Sequence, residues 1–153
     1  MQIFVFLHIL TMFMAVAISF GPEVLDRLAI GTRDVPTIRS AFRLHGRIGP
    51  AIPVLFLLGA AFGLVAVFTG AFNPFEPWLL IAYVVFILAL VNGGAVMGRW
   101  GARVAALAEA SPPEAPSGEL AAAIDDSGMR AAFWIETLLI VAVVFDMVIK
   151  PFS

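Results

Sequence analysis

Cysteine is absent from this chain of 153 residues, which excludes disulfides, thiol chemistry and thiolate metal sites. Charge is scarce as well. Only 13% of residues are Asp, Glu, Lys or Arg, against about one quarter in soluble domains. Two histidines and one tyrosine leave few side chains for acid–base or ligand chemistry, and a formal net charge of -2 gives no reason to expect a nucleic-acid partner. What is abundant is apolar: 61% of residues are hydrophobic and the mean hydropathy is +1.02.

The apolar residues fall into four runs, Gln2–Phe20, Pro50–Ala71, Trp78–Met97 and Ala131–Ile149. Each is long enough to cross a hydrocarbon core about 30 Å thick as a helix. The fold class expected is all-α: a polytopic membrane protein forming an antiparallel four-helix transmembrane bundle across residues 1–153, with no room for a water-soluble domain. No basic region opens the chain and no small-residue cleavage pattern precedes Gly21, so the first run reads as a retained helix.

Arginine placement sets the expected topology. Arg27, Arg33, Arg39, Arg43 and Arg47 lie between the first two runs, none lies between the second and third, and Arg99, Arg103 and Arg130 lie between the third and fourth. Lys150 alone follows the last run. The positive-inside bias puts both arginine-bearing connections in the cytoplasm and both termini outside.

The first connection, residues 21–49, reads as a helical hairpin extension. Gly21-Pro22 should bend the first helix, Gly31 should cap it, and Asp34 with Pro36 should start the next. Across the hairpin Glu23 and Asp26 come opposite Arg43 and Arg47. Arg39, Arg43 and Arg47, spaced i, i+4, i+8, share one helical face. That face suits anionic lipid headgroups, or an acidic ligand such as a phosphate or tetrapyrrole carboxylates. The proline- and alanine-rich stretch 109–127 reads as a flexible loop, with a short helix over 119–124 and a cap for the fourth span at Asp126 or Ser127. Gly59 and Gly63, and likewise Gly94 and Gly98, have the small-x-x-x-small spacing that lets membrane helices approach closely, and Pro50 and Pro53 should kink the second span.

Ionisable groups at membrane depth are costly and count as functional candidates. Helical rise places His8 about 9 Å, Tyr83 about 8 Å and Asp146 about 6 Å below the outer ends of their spans. These three form a candidate outer site. Asn92 and Glu136 form an inner polar layer, with burial favouring a protonated Glu136. At about 100° per residue Tyr83 and Asn92 are about 180° apart, so a straight α-helix cannot turn both inward. For His8 the readings are an interhelical hydrogen bond, to Asp146 or a water, an axial haem ligand, or a proton carrier. Asp146 also has Lys150 four residues on as a snorkelling partner. No second histidine or sulfur cluster shares the depth of His8, so no metal site is expected there.

Certain short motifs carry a family resemblance. Phe4-Val5-Phe6-Leu7-His8-Ile9-Leu10 resembles the opening of small bacterial four-span integral membrane proteins of unknown function. Phe145-Asp146-Met147-Val148-Ile149-Lys150-Pro151 resembles their closing Met-Val-x-Lys-Pro signature. More distantly, the histidine of the first span is similar to that of the copper-resistance D-type membrane domain and of the haem-binding membrane protoporphyrinogen oxidase. That resemblance implies a bacterial inner membrane and makes His8 an axial haem position. No tryptophan follows His8 within the span and the third span has no lysine, two features those relatives commonly carry. Two functions follow: a non-enzymatic membrane component working with a membrane partner protein or as a homo-oligomer, or a haem-binding, redox-related membrane protein.

Overall fold

The computed structural model describes residues 2–70 and 72–151, so the last residue expected in the second span, Ala71, lies outside the described residues. The described residues form helices and no strand: α1 Gln2–Thr32, α2 Val35–Ile48, α3 Ala51–Thr69, α4 Pro77–Leu90, a π-helical segment Val91–Met97, α5 Gly98–Ala110, α6 Gly118–Ile124 and α7 Ser127–Ile149. Four rods, 2–32, 35–69, 77–110 and 118–149, are long and apolar enough to cross a membrane. The molecule is an all-α bundle of four long apolar helices.

Helix α1 does not end at Gly21-Pro22, where a bend was expected, but runs as one helix to Thr32. Pro22 lacks the N–H that would bond the carbonyl four residues back, but the chain keeps its helical course and buries the ring. Nor does Gly31 end the helix. The left-handed position falls on Arg33, at φ 59°. Asp34 then caps α2 as expected, accepting from the Thr37 backbone N–H at 2.9 Å. Between α2 and α3, Gly49 and Pro50 stay in right-handed helical conformation, so the second rod is nearly continuous.

In the spans α1 packs along α3, and α4 along α7. Glycine sets the first pairing. A Cβ at Gly59 would lie 3.0 Å from Met12, and one at Gly63 would lie 2.8 Å from His8 Nδ1, so each glycine seats a side chain of α1. These contacts run the two helices in opposite directions. Phe56 of α3 meets Phe86 of α4, with ring centroids 6.2 Å apart.

At the arginine-bearing end the helices outlast the spans and build a cap. The end of α1, with α2, α5 and α6, buries Ala29, Val35, Ile38, Phe42, Val104, Ala108, Leu120, Ala123 and Ile124 together. The large side chains with essentially no exposure, Ile38, Leu120, Val35 and Val104, all belong to this cap. The expected flexible loop 109–127 is anchored to it. Ser111 Oγ lies 3.0 Å from Ser117 Oγ, Ser117 caps α6, and Trp100 Nε1 donates to the Ala123 carbonyl at 2.9 Å. Asp126 caps α7 through the Gly128 N–H.

Candidate functional site

The inner polar layer is the best built. Asn92 sits in the π-helical segment and donates through Nδ2 to Glu136 Oε2 at 2.9 Å and to the Ala132 carbonyl at 3.0 Å, both on α7. Gly93 beside it leaves the space that Glu136 Oε1 occupies, since a Cβ there would come within 3.4 Å of that oxygen. The segment is wound i→i+5 instead of i→i+4, a departure that recurs at functional positions. Angles for a straight α-helix therefore do not hold here. Asn92 reaches α7, and Tyr83, one helix earlier in the same rod, also buries its hydroxyl.

Further polar groups join this layer from the end of α1 and from α2. Glu136 is 7% exposed, Glu23 6% and Asp26 3%. Glu23 lies near enough to Glu136 for the two charges to repel. Arg27 donates to Glu23 Oε1 at 2.6 Å, and its guanidinium carbon lies 4.2 Å from the centroid of the Phe133 ring on α7. Asp26 is paired with His45, whose Nδ1 lies 2.5 Å from Oδ2. Hydrogen bonding to Asp26 raises the His45 pKa above its ordinary value. Burial pushes Glu23 up, with Arg27 opposing. The result is a cluster of three buried carboxylic side chains, one arginine, one histidine and one asparagine, bridging α1, α2, the π-segment and α7. Its chemical capacity is to hold charge and protons between helices. Among the described residues, no group of three or more His, Asp or Glu is arranged to hold a metal.

Sequence reasoning found Asn92 and Glu136 but missed the roles of Arg27 and His45. It set Glu23 and Asp26 opposite Arg43 and Arg47, whereas Asp26 meets His45, between those two arginines in sequence. The one available signal was the i, i+4 spacing of Glu23 and Arg27. A continuous α1 carries these residues on past the expected bend, and that continuity sets their register against α2.

The expected outer site does not assemble as a hydrogen-bonded group. His8 Nδ1 lies 2.7 Å from the Gly59 carbonyl oxygen, which makes Nδ1 the donor and leaves Nε2 unprotonated in the neutral ring. Asp146 is 3% exposed and both its carboxylate oxygens are buried without a hydrogen-bond partner, as is the Tyr83 hydroxyl. Lys150 does not pair with Asp146. Its Nζ stands 4.9 Å from the Phe72 ring centroid and 5.0 Å from that of Trp78, because Lys150 ends α7 in left-handed conformation. Trp78 is itself buried, with Nε1 donating to Glu76 at 2.5 Å.

The basic strip is also divided. Arg39 donates to the carbonyls of Ala108, Glu109 and Ser111, capping the open end of α5. Arg43 grips Glu109 with two bonds of 2.6 and 2.8 Å, and this holds the Glu109 carboxyl below its usual pKa range. Both bond to the end of α5 in the cap; of the three, only Arg47 has no protein partner among the described residues. No family model, curated protein or solved structure matches the chain.

Proposed function

We propose that this chain is a non-enzymatic, multi-pass component of a bacterial plasma membrane, with the arginine-rich cap in the cytoplasm and both termini outside. Its polar residues serve to fasten the spans into one assembly that works with a membrane partner protein or a second copy. The observation that carries this reading is the Asn92–Glu136 bond, with the Ala132 carbonyl as second acceptor, which locks the π-segment to α7. His8, bonded to the Gly59 carbonyl, does the same between α1 and α3. The arginine distribution supports the orientation. The inner-membrane setting rests on the resemblance of the chain's two ends to bacterial four-span proteins.

A second reading, a haem-binding protein with His8 as axial ligand, is favoured by one specific feature. An imidazole whose Nδ1–H is held by a backbone carbonyl presents Nε2 as a ligand of fixed orientation. Against it stands the shortage of cations for haem propionates at that end, where Lys150 faces aromatic rings. Titrating detergent-solubilised protein with haem separates the readings. Saturable one-to-one binding with a Soret band lost in His8→Ala but kept in His45→Ala would establish the second. Unsaturable partitioning, the same in wild type and His8→Ala, is the outcome expected for fastening alone.

A further inference from the structure

The inner cluster sets three buried carboxylic side chains against two basic ones. Arg27 bonds Glu23, and His45 pairs with Asp26. Among the described residues no cation pairs with Glu136. The elements around it offer none. Helix α3 and the π-segment contain no ionisable residue, and α4 carries only Tyr83. Arg39 and Arg43 are engaged at the end of α5. Arg47, Arg99, Arg103 and Arg130 are exposed and form no ion pair among the described residues. Even with His45 charged, the cluster carries one negative charge in excess.

The excess falls on Glu136. Its Oε2 accepts from a neutral donor, Asn92 Nδ2, at 2.9 Å, and its Oε1 fills the space that Gly93 leaves. Glu23 is the charged side chain close enough to act on it, and the two repel when both are ionised. The packing of Arg27 explains this approach. While it holds Glu23, its guanidinium carbon stands 4.2 Å from the Phe133 ring centroid, and Phe133 and Glu136 are neighbours on the buried face of α7. Asp26 Oδ1 and Arg27 Nε, on adjacent residues, are buried without a protein partner, so hydrogen bonding within the cluster is incomplete as well.

We propose that this cluster is a proton-binding site, in which Glu23 and Glu136 share one exchangeable proton. Two carboxylates in one buried place do not both ionise readily, and they titrate as a pair. With the proton bound and His45 charged, the Arg27–Glu23 and Asn92–Glu136 bonds both persist, and α1 meets α7 without net charge. Once the proton leaves, like charges oppose that contact. His45 and Arg27 are the members that reach solvent, with side chains 35% and 38% exposed against 7% for Glu23 and 4% for Asp26. The proton exchanges on their side. The inference rests on the fastening role proposed above and adds a ligand to it.

Infrared spectroscopy of the full chain in lipid vesicles tests it, through the carbonyl stretch that only a protonated carboxyl shows. Asp146→Asn serves as the reference chain, because it removes the remaining buried carboxyl of the spans. At neutral pH, where exposed carboxylates are ionised, the reference should show a carboxylic acid band that shifts in D2O and fades as pH rises. Glu136→Gln and Glu23→Gln each keep a hydrogen-bonding side chain and remove one negative charge. Either should abolish the band, because the cluster is then balanced without a proton, whereas Glu114→Gln at the exposed surface should leave it intact. No band in the reference chain overturns the proposal, whatever the variants do. A band that survives in Glu23→Gln also overturns it, since burial alone would then hold the proton. Loss of thermal stability in Glu136→Ala, in a protein that shows no such band, would leave the fastening role standing and remove the proton.

Discussion

His8 and Gly63 are the clearest pair of residues on which the spans depend. A Cβ at position 63 would stand 2.8 Å from His8 Nδ1, and that ring is already held by the Gly59 carbonyl. Gly63→Ala should therefore destabilise the detergent-solubilised protein by about 1–3 kcal/mol, as overpacking does. Combining it with His8→Ala should restore part of the loss, and thermal unfolding of the two single variants and the double variant checks both. Asp146 should behave in the opposite way. With no partner for either oxygen, Asp146→Asn should leave the melting temperature unchanged or raise it, whereas Glu136→Ala, which removes one of the two oxygen acceptors of Asn92 on α7, should lower it. A large loss of stability in Asp146→Asn would mean that the carboxylate has a partner. His45 adds a pH dependence. Its pKa is raised by Asp26, so its contribution to stability is fully present below the unfolded value of about 6.5 and fades as pH rises through the higher folded value. A melting-temperature profile across that window should flatten in Asp26→Asn.

At the scale of elements, the cap and the spans follow different physics. In water, apolar side chains leave the solvent, and Ile38, Leu120, Val35 and Val104 are accordingly without exposure. In lipid no such force acts between helices, so the rods α1–α3 and α4–α7 meet through glycine seats and polar bonds while Phe13, Leu138 and Val148 stay outward. Leu120→Ala should cost about 2–5 kcal/mol, since Leu120 is fully buried in the face that α6 packs into the cap. Limited proteolysis should then cut within 111–127, a stretch expected to resist cleavage in the wild type. Proline and alanine content alone suggested a loose loop here. The capping serine and the Trp100–Ala123 bond overrule that composition because they satisfy the backbone locally and bury Leu120.

For the whole molecule the testable statement is orientation. Reporter fusions at Gly31 and Ala115 should report a cytoplasmic location, and a fusion after Ser153 an external one. A cytoplasmic C-terminus would invert the proposed arrangement, placing the arginine-rich cap outside.

The amino-acid sequence by itself determined the class, four long apolar helices, because the length of an apolar run follows from the cost of exposing backbone in lipid and needs no partner to be read. It also placed the cap of α2 at Asp34 and narrowed that of α7 to Asp126 or Ser127, since caps depend on residues within a few positions; the structure puts the second at Asp126. It named Asn92 and Glu136 as one layer, since depth along a helix is arithmetic. Tertiary structure alone decided which side chains meet. Asp26 chose His45, Arg39 and Arg43 chose α5, Lys150 chose aromatic rings, and His8 chose a carbonyl that only a glycine-lined approach exposes. Each of those choices rests on rotation and register: whether α1 continues through Pro22, and how the π-segment winds. A single turn of phase in either would redirect every polar group in the cluster, and nothing local in the residues sets that phase.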